Sequence, residues 1–243
     1  MAEPPSAASG VWLRGLTQAR VGLGRAGQGL PTAALLDFQL AQARARDAVK
    51  AVLDVEALAV GLGGAVVSVR SAASDLATHL QRPDLGRLLD AEDAERLVPE
   101  DWDLAIVIGD GLSATAVQVH APPLITELTV RLRGWRMAPV VIARHARVAL
   151  GDDIGAALGA RLVLVLIGER PGLSAPDSLG AYVTHAPQRG RVDSQRNCVS
   201  NIRPPHGLGY AAAADRIAWL LVEAQRRGLT GIGLKEAAPL LIG

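Results

Sequence analysis

The chain has 243 residues, of which 49% are hydrophobic and 20% charged, the balance of a globular chain, which excludes wholesale disorder and collagen-like repeats. Lys plus Arg number 25 against 24 Asp plus Glu, a net charge of +1, so no global field draws the chain to nucleic acid or to an anionic membrane, and 3% aromatics are too few for single-strand stacking. A single cysteine excludes an internal disulfide, and the first residues lack the basic and apolar regions of a secretory signal, so a cytoplasmic chain is expected.

Residues 1–30 are rich in Gly, Pro, Ser and Arg without a sustained period, which predicts an extended arm that orders against a partner. A helix is expected next, with Pro31 at its first position and Leu36, Leu40 and Ala43 on one apolar face, while Arg44, Arg46 and Asp47 keep the other side wet. Gly61 to Gly64 breaks the chain before Ala65-Val-Val-Ser-Val, a first strand. We therefore divide the chain at residue 60, with an arm and helix over 1–60 and the main domain over 61–243.

From about residue 100, apolar runs alternate with helical stretches. Leu104-Ala-Ile-Val-Ile precedes Asp110-Gly111 and a helix from Ser113; Pro139-Val-Val-Ile leads to a helix near Asp153 to Leu158; Leu162 to Ile167 follows, too short to span a bilayer. Continuous β-branched runs separated by helices predict a parallel sheet covered on both faces, an α/β, Rossmann-like domain. Pro122-Pro123 is expected to split the helical segment that contains it. Ile217, Leu220, Leu221 and Ala224 fall at helical spacing before Gly228, an expected C-terminal cap.

Several motifs carry chemistry. Gly22-Leu-Gly-Arg-Ala-Gly27 matches G-x-G-x-x-G, but no hydrophobic strand precedes it, so it reads as part of the arm, with Arg20 and Arg25 free to meet acidic or phosphate groups. Asp110 follows a strand at the end where open α/β sheets bind ligands; it reads equally well as the cap of the next helix. Gly168-Glu-Arg-Pro-Gly-Leu is a dense polar loop at the same edge, in which Glu169 has either an acceptor's role toward bound amides or a local ion pair with Arg170. Cys198, with His185 as base and Asp177 as orienter, fits a cysteine nucleophile; the bland reading is a small packing residue. The five histidines show no i, i+4 pair, and no metal site is expected.

Taken in order, Ala19-Arg-Val-Gly-Leu-Gly-Arg-Ala-Gly, Arg82-Pro-Asp-Leu-Gly-Arg, Val107-Ile-Gly-Asp-Gly-Leu-Ser, Gly168-Glu-Arg-Pro-Gly-Leu and Asn197-Cys-Val-Ser-Asn-Ile resemble the small (light) subunit of ethanolamine ammonia-lyase, over about Ala19 to Gly233. The resemblance implies a Rossmann-like subunit that joins a TIM-barrel large subunit with adenosylcobalamin between them, the substrate chemistry belonging to the larger partner. It implies cofactor contacts at Val148, in Ala146-Arg-Val-Ala-Leu, at Glu169 and at Cys198, with no catalytic residue and no metal ligand from this chain. His79 and Leu88 stand where the family has Tyr and Arg. The long N-terminal extension that takes some relatives into a bacterial microcompartment is nearly absent, and encapsulation stays open. Two other readings stand beside this one: a stand-alone Rossmann-like cysteine hydrolase, and a non-catalytic scaffold subunit.

Overall fold

The computed structural model describes residues 19–234 together with Leu13, Leu16 and Thr17; the rest of the expected arm lies outside them. Among the described residues one six-stranded sheet has the order β1-β3-β2-β4-β5-β6, from β1 (Val66–Arg70), β2 (Leu104–Gly109), β3 (Val140–Arg144), β4 (Leu162–Gly168), β5 (Leu179–His185) and β6 (Asn197–Ile202). The helices are α1 (Thr32–Lys50), α2 (Val55–Leu62), α3 (Leu76–Gln81), α4 (Ala91–Ala94), α5 (Ala114–Arg131), α6 (Leu150–Leu158) and α7 (Tyr210–Arg227).

Strands β1, β3, β2 and β4 are parallel, but β5 runs antiparallel to β4 and β6 antiparallel to β5. The sheet is therefore mixed, and the expected wholly parallel sheet is corrected. The reason is the length of the connections: residues 169–178 and 186–196 contain no crossover helix, and a parallel return needs one.

Alternate residues of the central strands feed two cores. Leu104, Ile106, Ile108, Leu162, Leu164 and Leu166 pack under α5, α7 and Leu58 of α2; Ala105, Val107, Val163, Val165 and Ile167 pack under Leu150, Ile154 and Leu158 of α6. Both faces are thus covered, as period-independent apolar strands require. Because α5 and α6 take opposite faces and the chain steps from β2 out to β3 and back past β2 to β4, the two crossovers diverge between the carboxyl ends of β2 and β4.

Two local expectations are corrected. Helix α5 is continuous through Pro122 and Pro123: the Ser113 hydroxyl caps its start, the Val117, Ala121, Leu124 and Leu128 stripe is fully buried, and Gln118 and Val119, whose carbonyls lose their i+4 donors, lie on the half-buried and exposed side, where solvent can replace the lost donor. In α1, Pro31 is the residue before the helix rather than its first position, and Leu36 and Leu40 of the expected inner face are 58% and 49% exposed, the helix burying Ala41 and Ala48 instead. Helix α7 follows its pattern, with Ile217, Leu220, Leu221 and Ala224 buried and Gly228 left-handed at its end.

Candidate functional site at the carboxyl end of the sheet

The crevice between β2 and β4, where an open sheet of this kind offers room for a ligand, is filled by backbone. Gly111 has φ +60°, and a Cβ there would overlap the Gly168 carbonyl, while one at Gly168 would overlap the carbonyls of Ser113 and Asp110. Asp110 does not cap α5. Its Oδ2 accepts the His145 amide at 2.7 Å and its Oδ1 the Ala146 amide at 2.8 Å, so it ties the loop that leads into α6. His79, fully buried, meets the Gly111 carbonyl through Nε2 at 2.9 Å. The carbonyl can only accept, so Nε2 carries the proton. Burial pushes the His79 pKa down, opposed by that hydrogen bond. His79 therefore stands as a neutral donor under the crevice. Leu88, the other departure, is half-buried and lines a cleft described below.

Outside the closed crevice, the α6 side of β6 is open, beside a β5 whose Tyr182 is half-buried and whose Gly180 and Thr184 are buried. Along β6, Val199 turns into the α5–α7 core and leaves Cys198 and Ser200 exposed on the opposite face, the alternation that a pleated strand imposes. Glu169, the residue after β4, lies beside them. Its Oε1 accepts from the Ser200 hydroxyl and its Oε2 from the Ser178 hydroxyl, both at 2.5 Å, and Oε2 also accepts from the Asn201 amide at 3.3 Å. Asn201 has φ +58°, a left-handed turn that Asn tolerates. The expected pair of Glu169 with Arg170 does not form; β5 and β6 hold the carboxylate instead.

Cys198 pairs across the sheet with Tyr182, and the two side chains hydrogen-bond. Although the residue is exposed, its neighbours desolvate the sulfur and push the thiol pKa up, against the Tyr182 hydrogen bond, and the Glu169 charge adds to the rise. Tyr182 is likewise pushed up, by burial first and then by Cys198 and Glu169. Val148 sits at the entry to α6, half-buried, and packs with Tyr182 against the α6-side core. The structure thus brings Glu169 and Cys198 together and sets Val148 on the same face. Sequence reading missed Ser178, Ser200 and Tyr182. Ser200 was within reach, since it lies two residues from Cys198 on one strand; Ser178 joins them only through strand pairing.

The cysteine triad does not assemble. His185 pairs with Leu162 at the amino end of β4, whereas Asp177 precedes β5 and lies 3.9 Å from His120 and 3.7 Å from Arg203. They stand at opposite ends of β5, roughly 20 Å apart at the rise of a strand. A thiol pushed up in pKa is also the reverse of an activated nucleophile. Among the described residues the G-x-G-x-x-G segment has no strand before it; Ala26 and Gly29 bridge each other, and Arg20 lies 3.5 Å from Asp37. Among the described residues no group of three or more His, Cys, Asp or Glu is placed to hold a metal, and no helix is long and apolar enough to cross a membrane.

This arrangement is an open, partly apolar sheet face with one carboxylate at its rim, suited to binding rather than to nucleophilic chemistry. Comparison with known proteins gives a family. The family model of the ethanolamine ammonia-lyase light chain (EutC) matches residues 9–235. A protein of Bradyrhizobium diazoefficiens named ethanolamine ammonia-lyase small subunit is 56% identical, covering 95% of this chain and 93% of its own length. One of the same name from Ralstonia nicotianae is 53% identical over 94% of this chain and 89% of its own. These matches, over nearly the whole chain, place it in the ethanolamine ammonia-lyase small-subunit family.

Proposed function

We propose that the chain binds adenosylcobalamin on the α6 side of β5 and β6, at an interface with the large subunit, and serves in the conversion of ethanolamine to acetaldehyde and ammonia. The observation that carries this reading is the Glu169 rim. A carboxylate offers about four acceptor positions, and three are taken by Ser178, Ser200 and Asn201. One remains for an amide N–H, on an otherwise apolar floor of Val148, Tyr182 and Cys198. A corrin ring edged with amide side chains suits such a surface: a broad apolar contact with an acceptor at its margin.

When bound, adenosylcobalamin supplies the radical chemistry. The residues of this chain bind and orient. The hydroxyls of Ser178 and Ser200 fix Glu169 in direction, so that it keeps an acceptor's role and transfers no proton. Cys198, its thiol protonated, and Val148 exclude water from the covered face. No residue of this chain touches the substrate in this reading, and the chain is inactive without its partner. Residues 1–60, with the exposed leucines of α1, form part of the surface that the large subunit covers.

The test is co-expression with a large subunit, followed by gel filtration and a cobalamin spectrum of the complex. A complex that takes up cobalamin, and loses about 1.5–3 kcal/mol of that affinity in Glu169→Gln with turnover at saturating cofactor little changed, is the expected result. Undiminished cobalamin affinity in the large subunit alone would leave only the scaffold reading.

A further inference from the structure

Beside Val148 a cleft of about 660 Å³ opens between the loop into α6, the 3-10 turn at Leu85–Arg87 and the β5–β6 loop. Four arginines line it: Arg87, Arg147, Arg189 and Arg191. The carboxylates on its wall are spoken for. Asp153 is held by Arg189 at 2.6 Å, Asp152 by the buried Arg196 at 2.7 Å, and Asp84 by Arg82 at 2.7 Å. Asp193, at the outer lip, lies 3.6 Å from Arg196.

Arg87, Arg147 and Arg191 form no ion pair among the described residues. Arg147 gives one guanidinium bond, to the His79 carbonyl at 3.1 Å, and its Nε is buried with no partner. Arg191 bonds only the Ala186 carbonyl, at 3.0 and 3.2 Å. Burial, and then the charge of Arg87, act against the Arg147 cation, with Asp110 opposing them and Arg170 adding to them, an arrangement that costs stability until an anion enters. The first amides of α6 are not the donors here: those of Leu150, Gly151 and Asp152 are already bonded to Arg147, Val148 and Ala149.

An uncompensated fork of guanidinium groups matches a phosphate better than a carboxylate, since it presents several donors to several oxygens. The cleft is continuous with the candidate site. Val148 lines both, and Tyr182, opposite Cys198, also feels the charge of Asp193 on the cleft's lip. We propose that this cleft seats the phosphodiester of the corrinoid's nucleotide arm, with Arg87, Arg147 and Arg191 as its donors. This rests on the cobalamin reading above and adds a second, anionic anchor to it.

The experiment measures corrinoid binding to the complex with the large subunit by absorbance titration, using cobalamin, cobinamide phosphate and cobinamide, the last of which lacks the phosphate. Arg87→Ala, whose side chain has no partner to lose among the described residues, and Arg87→Ala with Arg191→Ala are compared with the unaltered chain. The double variant is expected to bind cobalamin and cobinamide phosphate about ten- to a hundredfold more weakly and cobinamide as before, with Arg87→Ala in between and Lys at both positions restoring part of the loss. Unchanged affinity for all three, or an equal loss for all three, overturns the anionic anchor while leaving cobalamin binding intact. An unaltered complex that takes up none of the three overturns the cobalamin reading, and the anchor with it.

Discussion

Arg196, the residue before β6, grips Asp152 in the first turn of α6 with two parallel bonds of 2.7 Å, and both side chains are 2% exposed. Thr184 and the Arg191 carbonyl take two more of its protons. This pair ties the antiparallel end of the sheet to the helix that Val148 leads into, so it fixes the candidate face as one piece.

Asp152→Ala should therefore cost about 3–5 kcal/mol of folding stability, because it leaves the Arg196 charge buried and uncompensated. Replacing both by apolar residues, Asp152→Leu with Arg196→Met, should recover most of the loss. Urea unfolding of the single and double variants checks this. A double variant no more stable than Asp152→Ala would show that the pair is not the source of the effect.

Stability should fall as pH drops below the ordinary histidine range. Burial pushes the pKa values of His79, His120 and His185 below their usual 6.5, so at pH 5.5 the unfolded chain binds more protons than the folded one. Their contribution is complete above about pH 7 and is lost progressively below 6.5. Denaturant midpoints at pH 7.5 and 5.5 should differ accordingly, and His79→Gln should reduce the difference. An equal midpoint at both values would refute the assignment.

Cys198 should react slowly with iodoacetamide at pH 7.5 compared with a small free thiol, since desolvation and Glu169 keep it protonated. Cys198→Ala in the complex should retain turnover when cobalamin is in excess and lose about 0.5–2 kcal/mol of cofactor affinity through packing. Complete inactivation with cobalamin still bound would favour a nucleophilic cysteine.

Leu36 and Leu40 lie exposed on α1, a cost that a covering partner removes. Leu36→Glu with Leu40→Glu should leave the chain folded, by circular dichroism, yet weaken co-purification with the large subunit about tenfold or more. Equal recovery of the complex would remove α1 from the interface.

Much of the α/β framework was legible because its signals are local. The apolar runs of β2 and β4 and the helical spacing of α7 need no knowledge of the rest of the chain. Strand direction was less visible: Arg196-Asn-Cys-Val-Ser-Asn reads as a polar stretch until β6 pairs with β5. The ten residues between Gly168 and Leu179 were the available signal, too few for a crossover. At α1, periodicity marked an apolar face that does face one way, but toward solvent in the isolated chain. For the site, Glu169 and Cys198 stood out by residue type and by resemblance. Ser178 and Ser200 did not, since they meet Glu169 from either side of a hairpin, 9 and 31 residues away. The free arginines of the cleft were invisible for the same reason, because a charge's lack of a partner is a property of the folded chain.

Gly111 and Gly168 cinch β2 against β4 so tightly that backbone fills the gap a doubly wound sheet would otherwise open to a guest. A ligand of this chain has no way in between those two strands; what remains to it is the outer face of β6 and the cleft beside Val148. On the proposed reading the chain thus supplies a single wall of a chamber, and the completeness of that chamber belongs to the assembly.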